Sequence, residues 1–279
     1  MIIEIDNYVP KHSHVLCVDS DGTAIDSMNV KHNRCHGPAF IEAWELGASA
    51  GTVQKRWNEI NLYEKTRGIN RFLGAERILR ELDGKAVEVK DLDVLSAWIA
   101  GSKELSEPAL ENAIEQSGSD ILKKALKFSR LTNQKVAELD LKDKPAYGGV
   151  KQTLEFAKTK TDIAVISSCN MSAIREEWGY NGLLDYPDVI TSLETGSKRK
   201  CLEKIIGCGA VPEKVLMVGD AIPDFEAAKA AGVLFYPIIV REEKQSWFNL
   251  RNKYLGKFLC GNYAKYQNLL IENFYKSFK

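Results

Sequence analysis

Two aspartates one residue apart, Asp19 and Asp21, close an apolar run in VLCVDSDGTAIDSM (residues 15–28), with Gly22 and Thr23 directly behind. If the alternation of a strand continues to its end, both carboxylates face one small volume while Ser20 points away. Left bare, such a pair repels and one member stays protonated. A cation relieves the repulsion, and a reaction can exploit a division into acid and base. A second acidic pair ends another apolar run: Asp220 follows Gly219 in KVLMVGDAIPD, and Asp224 lies one helical turn later. Aspartates from separate strand ends offer oxygen ligands only, and few of them. That set suits Mg2+, which keeps several waters and partners phosphate oxygens. Taken alone, either pair reads as solvated turn or N-cap residues; together, in this order, they point to Mg2+ beside a phosphate.

Further groups could complete such a site. VISSCN places Ser167, Ser168 and Asn170 before a helical pattern, MSAIREEW. Hydroxyls and free backbone N–H groups at a helix start form a small anion cradle, although an ordinary Ser or Asn N-cap has the same sequence. TGSKRKCLEKI contributes Lys198, Arg199 and Lys200. A lysine among several carboxylates and a phosphate would hold the negative charges together. Lys198 is preferred, since it follows Gly-Ser at the turn and precedes Leu202 by one helical turn, but Lys200 remains a candidate. EKTRGINRF offers Arg67 and Arg71 around Gly68, two guanidiniums that could bind a carboxylate or distal phosphate, or lie on the wet face of a helix. KHNRCHGPAF offers Lys31, His32, Arg34 and His36 with no metal-ligand spacing. Of the cysteines, Cys169 is the one to watch, because it sits in the Ser167 loop.

The elements that must position these residues are legible from pattern. HVLCVDSDG, DIAVISSCN and KVLMVGDAIPD are short apolar runs rich in Val and Ile, each followed by small or acidic residues and then a helical pattern. DFEAAKAAG reads as a helix with an early acidic turn and Gly232 as its stop. The recurrence of strand, turn and helix predicts an α/β fold, a doubly wound parallel-sheet Rossmann-like core with loops at the carboxyl ends of its strands. Between the first two strands lie windows such as GPAFIEAWELG, TVQKRWNEINLYEK and INRFLGAERILREL, whose apolar residues recur at helical spacing. They predict an inserted helical domain over residues 28–145, with KDKPAYGGV as its return linker and residues 1–27 and 146–279 as the core domain. The aromatic-rich C-terminal stretch from SWFNL onward reads as one or two amphipathic helices packed on the core.

Composition bounds the function. Lys plus Arg and Asp plus Glu each number 38, so the net charge is zero and no polyanion-binding surface is indicated; no nucleic acid partner is expected. The apolar stretch at the N-terminus is too short and interrupted for a signal peptide, and no window approaches the roughly 20 apolar residues of a membrane helix. A cytoplasmic protein with no membrane partner is the expectation. The six cysteines form no C-x-x-C pair, which speaks against a zinc site. Nothing in the sequence fixes an oligomeric state.

Taken together, these motifs resemble those of the haloacid dehalogenase superfamily of phosphohydrolases. That family's D-x-D-x-T motif is matched by Asp19, Asp21 and Thr23, its strand-ending Ser or Thr by Ser167, its Lys by Lys198, and its G-D-x-x-x-D by Gly219, Asp220 and Asp224. The insertion resembles the family's C1 type of helical cap, at greater length, as in proteins similar to phosphoglycolate phosphatase or β-phosphoglucomutase. The resemblance implies that Asp19 is a nucleophile forming an aspartyl phosphate and that Asp21 is the acid and base, oriented by Thr23. It implies Mg2+ held by Asp19, the backbone carbonyl of Asp21 and Asp220, with Asp224 bound to the ion directly or through a water, and Ser167 and Lys198 on the phosphoryl oxygens. Ser168, Asn170, Arg67 and Arg71 are carried as substrate-binding candidates. The expected activity is a phosphatase on a small phosphorylated metabolite; a phosphomutase that returns the phosphoryl group to sugar, or a phosphate-binding module without turnover, are the alternatives.

Overall fold

Alternation by single residues divides the central strand between two cores, and this defines the architecture seen in a computed structural model. The structure describes residues 4–85 and 87–279. In β1 (Val15–Val18), Leu16 and Val18 enter one hydrophobic cluster while Val15 and Cys17 enter another. The same division holds for β2 (Asp162–Ile166) and β4 (Val215–Gly219), so both faces of the sheet are covered. A strand buried on both faces has no polar side to show, and this is why these runs are apolar except for Asp162, which opens β2 buried against Tyr8, the Lys11 N–H and His12. With β3 (Val189–Thr191) and β5 (Leu234–Pro237), they form a five-stranded parallel sheet in the order β3-β2-β1-β4-β5. Cys17 stands level with Ala164 on one side and Met217 on the other. The chain turns outward in opposite directions from β1, so the switch point lies at the carboxyl ends of β1 and β4, where α/β sheets open a crevice.

The two edge strands carry no comparable sequence signal. Val189–Thr191 has only three residues, and Leu234–Pro237 follows the helix Ile222–Ala231 almost at once, with Gly232 at φ 72° turning the chain between them. The C-terminal stretch packs on both faces: Trp247, Leu255 and Phe258 join the cluster of Leu16 and Val18, while Phe274 and Phe278 join that of Val15 and Cys17.

The chain divides into two compact units, Met1–Ser27 with Leu141–Lys279, and Met28–Asp140. The sequence pattern put the second boundary at 145, but residues 141–145 group with the sheet. Asn181 Nδ2 donates to the Lys144 carbonyl at 3.0 Å, the Asp26 N–H donates to the Pro145 carbonyl at 2.8 Å, and the buried Lys144 ammonium lies 3.0 Å from Glu177. The second unit is helical, with its own core around Phe40, Trp57, Ile78, Leu95 and Phe128. Among the described residues, no helix is long and apolar enough to cross a membrane.

Candidate active site

The end of β1 delivers Asp19 to the crevice. Its N–H continues the ladder, donating to the Val218 carbonyl at 3.0 Å, and its side chain is buried. Asp220 follows β4 in the same way and is also buried. Asp224, fully buried in the first turn of Ile222–Ala231, accepts from the Ala221 N–H at 3.1 Å and so caps the helix it belongs to. One carboxylate oxygen from each of Asp19, Asp220 and Asp224 lies within 4.8 Å of the others. Gly219 is required by this crowding: a Cβ there would fall well inside contact distance of the Asp224 carboxylate.

Lys198 resolves the choice between the two lysines. Ser197 caps the helix Lys198–Gly207, accepting from the Lys200 N–H at 3.3 Å, which leaves Lys198 at the first helical position facing the sheet. Its Nζ lies 2.7 Å from Asp19 Oδ1 and also contacts Asp224 Oδ1, whereas Lys200 is exposed. Burial pushes the Asp19 carboxyl well above the ordinary range, Lys198 opposes this, and the charges of Asp224 and Asp220 add to it. Asp224 is raised by burial and by Asp220 against the same lysine. For Lys198 burial acts downward, but Asp19 and Asp224 outweigh it and hold the ammonium protonated. Asp19 and Asp224 on one ammonium, with Asp220 beside them, gather oxygen donors alone, and this donor set fits a hard divalent cation.

Thr23 departs from its expected role. Its Oγ1 lies 2.6 Å from Asp220 Oδ1 and 3.3 Å from Asp19 Oδ2, so its proton serves Asp220 and Thr23 joins the two strand ends. The reason is the turn at Gly22, φ 79°, which folds Thr23 back into full burial. Asp21, half-buried, is held by other residues: the Ser27 hydroxyl donates to Oδ1 and the Cys169 thiol to Oδ2, the latter at 3.0 Å. Its carboxylate lies outside the group formed by Asp19, Asp220 and Asp224. Ser20 does point away, accepting from Trp178 Nε1 at 2.9 Å, and Trp247 Nε1 donates to the Thr23 carbonyl at 2.8 Å. Two buried indoles, both from the part of the chain after the helical unit, thus hold the loop.

Ser167, buried at the end of β2, accepts from the Cys169 N–H at 3.1 Å, which leaves its own proton to be donated elsewhere. Ser168 is exposed. Asn170 proves to be an N-cap: its Oδ1 accepts from the Ala173 N–H at 2.8 Å, satisfying the helix Met171–Tyr180. In the helical unit, Arg67 is buried and donates to the Leu62 carbonyl at 2.9 Å, while Arg71 Nη1 reaches Ser129 and, at 2.8 Å, Asn133. Ser27 is the site residue that sequence pattern missed, and Cys169, marked there only for its place in the Ser167 loop, proves to hold Asp21. A hydroxyl six residues beyond Asp21 was a local clue; the thiol's target was not visible locally.

The family model for haloacid dehalogenase-like hydrolases matches residues 92–238, just over half of the chain. The chain belongs to the haloacid dehalogenase-like hydrolase family. The matched span contains Ser167, Lys198, Asp220 and Asp224, and Asp19 lies before it. A search of curated proteins finds no match. Among solved structures, the chain is similar to a protein assigned as phosphoglycolate phosphatase from Lactobacillus delbrueckii, at 14% identity, covering 80% of this chain and 85% of that one with a TM-score of 0.50. A haloacid dehalogenase-like hydrolase from Bacteroides fragilis shares 18% identity over 84% and 92% of the two chains, TM-score 0.48. A protein assigned as β-phosphoglucomutase from Thermotoga maritima shares 18% over 80% and 84%, TM-score 0.41. At these identities the likeness is one of fold.

Proposed function

We propose that the protein is a Mg2+-dependent phosphatase that hydrolyses the phosphate ester of a small phosphorylated metabolite. The observation that carries this reading is the position of Lys198, its ammonium shared between Asp19 and Asp224 beside Asp220 at the switch point of the sheet. Mg2+ held by Asp19, Asp220, Asp224 and the backbone carbonyl of Asp21 would supply neutralising charge to the phosphoryl oxygens.

In the first step an Asp19 oxygen attacks phosphorus; the new Asp–O–P bond forms as the P–O bond to the leaving group breaks, and Asp21 gives that leaving oxygen its proton. Asp21, now ionised, takes a proton from water as the water attacks phosphorus, and the bond to Asp19 breaks to release inorganic phosphate. Lys198 and the free proton of Ser167 hold phosphoryl oxygens throughout, so the protein's contribution is mainly position and charge. The helical unit Met28–Asp140 would serve as the cap that chooses the substrate, with Arg67 and Arg71 its candidate groups for an anionic substrate.

The test is phosphate release from p-nitrophenyl phosphate with Mg2+, by wild type and by Asp19→Asn. Turnover lost by about three orders of magnitude or more in the variant supports the reading. Activity that appears only with a sugar phosphate and a bisphosphate primer would make it a phosphomutase. No turnover over a broad panel of phosphate esters would leave a binding module.

A further inference from the structure

The loop after β2 does more than present Ser167. Cys169 is fixed by its backbone at both ends: its N–H donates to Ser167 Oγ at 3.1 Å, and its carbonyl accepts from the Leu193 N–H at 2.9 Å. A residue anchored in this way has little freedom in where it places its side chain, and Sγ lies 3.0 Å from Asp21 Oδ2. The opposite oxygen, Oδ1, is held by the Ser27 hydroxyl. A donor on each oxygen fixes the plane of a carboxyl group as well as its position.

We propose that Cys169 is a positioning residue for Asp21, its thiol setting the orientation in which that carboxyl group meets the leaving oxygen. This rests on the reading of Asp21 as the acid and base. A thiol suits the task because it is a weak donor: it can orient Oδ2 while competing little for the proton that the carboxyl group must deliver. The same turn couples two functions, since the N–H of Cys169 occupies an acceptor site of Ser167 and so directs that hydroxyl's proton outward.

The consequence is specific to the leaving group. An ester that departs as a stabilised anion needs little protonation, whereas a poor leaving group depends on a well-aimed acid. The measurement is kcat/KM for p-nitrophenyl phosphate and for phenyl phosphate at saturating Mg2+, in wild type, Cys169→Ala and Cys169→Ser. This parameter covers only the steps through phosphorylation of Asp19.

Cys169→Ala should lose about tenfold on phenyl phosphate and less than about twofold on p-nitrophenyl phosphate, a small part of the range that general acid catalysis spans. Cys169→Ser, which restores a donor, should recover most of that loss. Equal losses on the two esters, no loss on either, or failure of serine to recover the activity would overturn the role of Cys169. Wild-type enzyme that hydrolyses neither ester would instead overturn the phosphatase reading on which it rests. Should the alanine variant fail to fold, Cys169→Val, which also removes the donor at similar volume, takes its place: the same selective loss on phenyl phosphate is expected, and equal losses or none overturn the role.

Discussion

Lys198 Nζ lies 2.7 Å from Asp19 Oδ1 while also contacting Asp224, so one ammonium at a helix start joins residues that follow two different strands. Replacing it with methionine would leave three buried carboxylates facing one another. Breaking a buried ion pair in this way costs about 3–5 kcal/mol. Thermal unfolding should show Lys198→Met destabilised by that order. Added Mg2+ should raise the midpoint of the variant more than that of wild type, because a cation replaces the missing charge. Lys200→Met, altering an exposed side chain, should match wild type in both experiments.

Gly219 has no side chain because Asp224 occupies the space where one would stand. Gly219→Ala must displace the Asp224 carboxylate or bend the end of β4, and either change moves an oxygen of the Asp19, Asp220 and Asp224 group. Strain of this kind costs about 1–3 kcal/mol. The expected outcome is a folded, less stable protein with weaker Mg2+ binding by calorimetry.

Trp247 donates its indole proton to the carbonyl of Thr23 across the core. Trp247→Phe preserves most of the packing but leaves that buried carbonyl without this donor, a loss of about 1–3 kcal/mol. Because Thr23 bonds Asp220, turnover on p-nitrophenyl phosphate should fall together with stability. Urea unfolding and steady-state rates on one preparation check both.

Acid should weaken the helical unit through His36. Burial, with His32, Arg71 and Lys31 nearby, holds this imidazole well below its ordinary value of 6.5, and its buried Nδ1 has no hydrogen-bond partner among the described residues. Below pH 6.5 the unfolded chain takes up a proton that the folded chain refuses, so stability is full above that pH and falls as pH drops below it. The slope reaches about 1.4 kcal/mol per pH unit for one proton. His36→Phe keeps a ring to stack on His32 and should flatten the pH dependence of the unfolding free energy between pH 6.5 and the acid limit. An unchanged slope would assign the acid sensitivity elsewhere.

The sequence determined what local pattern can encode. Apolar runs marked β1, β2 and β4 because strands covered on both faces have no polar side to show, and the carboxylates, serine and lysine at their ends or at a following helix start were visible as motif residues. The edge strands escaped, since three residues at Val189–Thr191 make no pattern apart from their neighbours. The tertiary structure settled the sequence's preference for Lys198 over Lys200, and it alone turned the Thr23 hydroxyl to Asp220 and gave Asp21 to Ser27 and Cys169. The thiol and its carboxylate are 148 positions apart, and Trp247 is 224 from Thr23. Hydrogen bonds depend on distance and angle in space, to within a fraction of an ångström, and the spacing of residues along a chain carries no such information until the sheet has folded.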